Sequence, residues 1–162
     1  MDTTSAAISP QIAAVVQRPN ALLPIIVGGL TAGALDAAAA FMTFGWGMPR
    51  GIASGLLGAK AFQGGATTWI LGLALHFFIA LCAAAVYWLA SRKLQFLRIN
   101  FFVCGLFYGI AVFLVMNLVV LPLSAIPRPV GPFTVAGLYQ GLLAHMFLVG
   151  LPISVSVRYL AR

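Results

Sequence analysis

Four apolar stretches, at 22–46, 67–90, 100–121 and 133–157, leave this chain few ways to fold. Each is long enough to cross about 30 Å of hydrocarbon at about 1.5 Å per residue. The connections between them are short. The expected fold class is therefore all-α: a polytopic membrane protein with a single bundle of four transmembrane helices over 22–162, preceded by a tail over 1–21. Pro24 falls in the first turn of the first stretch, where a missing N–H is harmless. Pro122 and Pro127 close the third stretch, and Pro152 bends the fourth. Composition agrees with this reading. Only 7% of the 162 residues are charged and 62% are hydrophobic, too few ionisable groups to cover a surface in water. A soluble enzyme, a disordered tail and a disulfide scaffold are excluded together. Cys82 and Cys104 lie inside apolar runs and read as small buried hydrophobes.

The net charge of +7 would suggest nucleic acid in a soluble protein. Here the basic residues stand singly between apolar runs, so the expected partner is the lipid bilayer, with no nucleic acid. The first 20 residues lack the pattern of a cleaved leader, and 5–18 reads at most as a short surface helix. With both ends of the chain in the cytoplasm, the inner side holds Arg18, Arg92, Lys93, Arg98, Arg158 and Arg162, and the outer side holds Arg50, Lys60 and Arg128. The positive-inside rule favours that orientation. Trp46 and Trp69 then mark the outer boundary, and Tyr87, Trp88 and Tyr159 the inner one. The connection at 47–66 is itself apolar, with Ile52, Leu56, Leu57, Ala61 and Phe62 able to share a helical face. Glycines at 51, 55, 58, 64 and 65 weaken any helix there, so a loop dipped into the headgroup region is expected.

Ionisable side chains inside apolar spans are costly and face the bundle interior. Three occur here, Asp36, His76 and His145, at similar depths, and Asn117 is the main uncharged addition. Helical spacing puts Gly29 and Gly33 on the face of Asp36, Gly72 on that of His76, and Gly137 and Gly141 on that of His145. Gly105 and Gly109 form a further small-residue face on the third stretch. Such faces are where membrane helices approach closely. The spacing predicts a mid-membrane cluster of Asp36, His76, Asn117 and His145, extended outwards by Thr31, Thr43, Tyr108, Tyr139 and Gln140. Asp36 is expected within hydrogen-bonding reach of one imidazole, directly or through one water. With so many glycine faces, at least one is expected to meet a second copy of the chain or a larger membrane complex.

Three functions fit such a cluster. A carboxylate and imidazoles can act as interhelical glue in a structural or accessory protein. They can serve a small proton-linked or solute transporter. The two histidines can also be axial ligands to a b-type haem, the one cofactor considered. No catalytic motif is visible. There is no nucleophile elbow and no phosphate-binding loop, and only one carboxylate lies within a span. No metal site is expected, since catalytic zinc takes three protein ligands and a water.

Two internal matches point to a duplicated two-helix unit. GLALHFFIA at 72–80 can be laid on GLLAHMFLV at 141–149, and GLTAG at 29–33 on GLFYG at 105–109. Such a repeat would relate its halves by rotation about the membrane normal and give His76 and His145 equivalent places. The segments GIASGLLGAKAFQGG, GLALHFFIALCAAAVYWLASR and VMNLVVLPLSAIP resemble a group of bacterial inner-membrane proteins of about this length, over roughly residues 27 to 162. The resemblance implies a four-helix membrane protein. That group has no assigned activity, so no functional residues carry over.

Overall fold

A computed structural model describes residues 21–127 and 135–161. The expected surface helix at 5–18, Arg18, Arg128, the start of the fourth stretch at 133 and Arg162 lie outside the described residues. Every regular element among the described residues is helical. Helix α1 covers Leu22–Phe44, α2 Met48–Leu57, α3 Gly65–Lys93 and α4 Phe96–Ile99. Helix α5, Phe101–Val115, continues through a wide π turn at Met116–Val120 into α6, Leu121–Leu123. Helix α7, Val135–Ala144, continues through a second π turn at His145–Gly150 into α8, Leu151–Leu160. Four helical stretches, Leu22–Gln63, Gly65–Lys93, Phe101–Leu123 and Val135–Leu160, are long and apolar enough to cross a membrane.

The bundle is tight at the end that holds the α3–α5 connection. Ala32, Ala84, Tyr87, Trp88, Ile153 and Val157 form the core there, with Ala21, Leu97 and Ala161 packed around it. Tyr87 donates to Leu97 O at 2.9 Å, Arg98 Nη2 donates to Ala161 O, and Ser156 donates to Pro24 O at 2.8 Å. The Arg92 guanidinium lies over the Trp88 ring, 5.1 Å from its centroid. The outward faces carry large apolar side chains such as Phe107, Leu118 and Ile70.

The opposite end is filled by α2, which corrects the expected loop at 47–66. Pro49 sits in the first turn of α2, where it presets the helical φ. Gly45, Gly58 and Gly65, with φ of 65°, 60° and 63°, make the sharp turns before and after it. Between those turns α2 folds back onto α3. The site where a Gly72 Cβ would stand is filled by the Pro49 carbonyl. The far end of α2 reaches the segment just beyond the third long helix, where Ala125 N–H donates to Gly55 O at 2.8 Å. Packing on two neighbours outweighs the low helix propensity of its glycines. Trp46 and Trp69 meet beside it, Trp69 Nε1–H donating to Trp46 O at 3.1 Å.

Both interior prolines lie within helix. The third helix ends at Leu123, one residue after Pro122, and the fourth runs on through Pro152. Each helix meets its proline by widening the turn just before it. The small-residue faces are also used within the chain. Gly29 lies against Leu81, Gly33 against Phe77, Gly105 against Ser154 and Gly150, and Gly109 against His145 and Met146, while Gly141 meets Phe113. Of the glycines on those predicted faces, Gly137 lies on an exposed stretch.

Candidate functional site

Asp36 on α1, His76 on α3 and His145 at the start of the second π turn border one cavity of about 90 Å³. The rest of its wall is apolar, with Ala32 and Gly33 from α1, Ile52 from α2, and Ile79, Ala80 and Ala83 from α3. Val112, Met116 and Val149 complete it. The cavity therefore sits where all four long helices and α2 come together.

The histidines are held by backbone. A Cβ on Gly33 would come within 2.8 Å of the Phe77 ring, so α1 and α3 approach closely at this level. That approach brings His76 Nε2 to 2.9 Å from Gly33 O. A carbonyl can only accept, so Nε2 carries the hydrogen, and the lone pair of the neutral ring is on Nδ1. His145 Nδ1–H donates to Gly141 O at 2.9 Å, one turn back in its own helix, which leaves the lone pair on Nε2. Each ring meets a phenylalanine edge-on, His76 with Phe77 at 5.6 Å and His145 with Phe113 at 5.5 Å between centroids.

Asp36 is partly buried and makes no hydrogen bond or ion pair among the described residues. The expected direct carboxylate–imidazole pair is absent. The depth match does bring the three side chains together, but one N–H of each ring goes to a nearby carbonyl instead. They share a space between them. That space exceeds the ~10–15 Å³ that one water requires, and the three ionisable side chains are its polar groups in an otherwise apolar wall.

Asn117 is not on this wall. Its Nδ2 donates to Phe113 O at 2.8 Å, and its side chain faces an open groove of about 490 Å³ beside Leu138, Tyr139 and Leu142. The π turn that starts at Met116 presents Met116, not Asn117, to the cavity. The outlying polar residues also separate. Thr43 and Gln140 pair at 3.3 Å near the α2 end, whereas Tyr108 donates to Ala83 O at 2.6 Å and packs on Tyr87 in the core. Tyr139 lines the groove and Thr31 is exposed. Ile52 and Met116 were not expected at the site. The signals that could have found them were Pro49 at a helix start and the Leu-Pro pairs at 121–122 and 151–152.

Among the described residues no group of three His, Cys, Asp or Glu side chains could hold a metal ion. A cavity of about 90 Å³ is also far below the ~300–1,000 Å³ of organic ligand sites, so a haem does not fit between the two rings. The chemistry open to this arrangement is the exchange of protons among a carboxylate, two imidazoles and water. No family model, no curated protein and no solved structure matches the chain.

Proposed function

We propose that this chain is a four-span protein of the bacterial cytoplasmic membrane, with both ends inside, that passes protons through its Asp36–His76–His145 cavity. One observation carries the reading: three ionisable side chains from three different long helices border one small cavity, and the carboxylate among them is unpaired. Interhelical glue would be expected to use that carboxylate in a direct bond. A carboxylate left facing imidazoles across a water-sized space is instead arranged to gain and lose a proton. A His lone pair on each ring is available to relay it, on Nδ1 of His76 and Nε2 of His145. A duplicated two-helix unit accounts for one histidine in each second helix of the pair.

The test is proton flux into proteoliposomes under a potassium diffusion potential, with an internal pH dye. Wild-type protein should acidify or alkalinise the lumen faster than empty liposomes, equally in sodium and choline media. Asp36→Asn should return the rate to that of empty liposomes. No flux above background, or a flux that Asp36→Asn leaves unchanged, overturns the proposal.

A second reading has its own support. The His76 Nε2–H bond to Gly33 O joins α3 to α1 as a structural tie. An accessory role in a larger membrane assembly would use that tie and need no flux. Co-purification of unvarying partners, together with absent flux, would favour it.

A further inference from the structure

Two π turns, Met116–Val120 and His145–Gly150, interrupt the third and fourth long helices. In each case the residue after the turn bonds five positions back: Leu121 N–H to Met116 O, and Leu151 N–H to Met146 O. A proline follows at once, Pro122 or Pro152. Proline inside a helix has no N–H to donate, and its ring collides with the carbonyl four residues earlier, here Leu118 or Leu148. Widening the preceding turn moves that carbonyl aside. This gives both π turns one physical cause.

The widened turn has a geometric consequence for His145. One extra residue in a turn rotates everything before it by about 100° and shifts it about 1.5 Å, relative to an unbroken α-helix. Helix α8 is fixed, since Ile153 and Val157 are fully buried and Ser156 is bonded to Pro24 O. With an ordinary α turn, Met146 would therefore stand where His145 stands now, and the imidazole would leave the cavity. Gly109 seats the widened turn, because the space of its missing Cβ is filled by the His145 carbonyl and the Met146 backbone.

We infer that Pro152 is a positioning residue for His145: by forcing the wide turn, it sets the imidazole against the cavity shared with Asp36 and His76. The functional weight of this rests on the proton-handling reading, whereas the geometry does not.

The test reads the His145–Phe113 ring contact as a through-space NMR cross-peak, in the full chain in lipid nanodiscs with labelled His and Phe. Three variants are compared with wild type: Pro152→Ala, the exchange of His145→Met with Met146→His, and all three substitutions together. Pro152→Ala should lose the contact, and so should the exchange alone. The combination should regain it, because the α register returns the exchanged histidine to the cavity. A merely structural proline would not reverse the effect of the exchange. The inference is overturned if Pro152→Ala keeps the cross-peak, if the exchange alone keeps it, or if the folded combination lacks it. A Pro152→Ala chain that cannot fold also counts against it, since restoring an N–H should favour the α-helix. If the contact follows register as expected while no variant changes proton flux, the positioning stands and the proton reading fails.

Discussion

Asp36 is the side chain whose removal should separate activity from stability. It has no partner to strand, so Asp36→Asn and Asp36→Leu should both melt no lower than wild type in mild detergent. A drop of several degrees with either would show a bond that the carboxylate is not seen to make. His76 behaves oppositely. His76→Phe removes the tie to Gly33 O and should cost about 0.6–1.7 kcal/mol, the span found for hydrogen bonds between membrane helices. Unfolding titrations in mixed micelles would measure it. At this scale the sequence was partly legible. Depth and glycine spacing brought Asp36, His76 and His145 to one place, yet their bonds could not be read. Backbone carbonyls compete for the imidazole N–H groups, and no side-chain pattern records which carbonyl an adjacent helix presents. Asn117 shows the same limit, since a π turn shifts which residue faces inward.

Among the elements, α2 and the two π turns were the least legible. Propensity argued against a helix in a segment with so many glycines, but the segment is held from outside, by Gly72 on one neighbour and Ala125 on another. Long-range packing of this kind leaves no local trace beyond Pro49. The two sorts of glycine can be told apart by substitution. Gly72→Ala would drive a methyl into the Pro49 carbonyl and should destabilise by about 1–3 kcal/mol. Gly51 has open space around it in the interior of α2, so Gly51→Ala should be neutral or stabilise by up to about 1 kcal/mol. Chemical unfolding midpoints of the two variants check both signs. Equal effects would mean that α2 does not rest on α3.

Across the whole molecule, the four long helices were plain from length and hydropathy because apolar stretches of that size have few alternatives. The asymmetry between the two ends was not. A tight core around Tyr87, Trp88 and Ile153 closes one end, while α2 roofs the cavity at the other with Ile52. The charge count leads to an expected outcome for topology. A cysteine placed at Gln95 should react with a membrane-impermeant maleimide only from the cytoplasmic side, and one at Gln63 only from the outside. The reverse pattern would invert the orientation without touching the cavity.

The claim on which all of this depends is that Asp36, His76 and His145 share a space that water reaches at the centre of the bundle. Water-to-ring magnetisation transfer in lipid nanodiscs, with isotope-labelled histidine, measures it directly. Both rings should show water contact although they lie among apolar helices, and replacing Ile52 with Trp to fill the cavity should weaken both signals together. Two dry rings, or signals that respond to Ile52→Trp at one histidine and not at the other, would contradict a shared cavity.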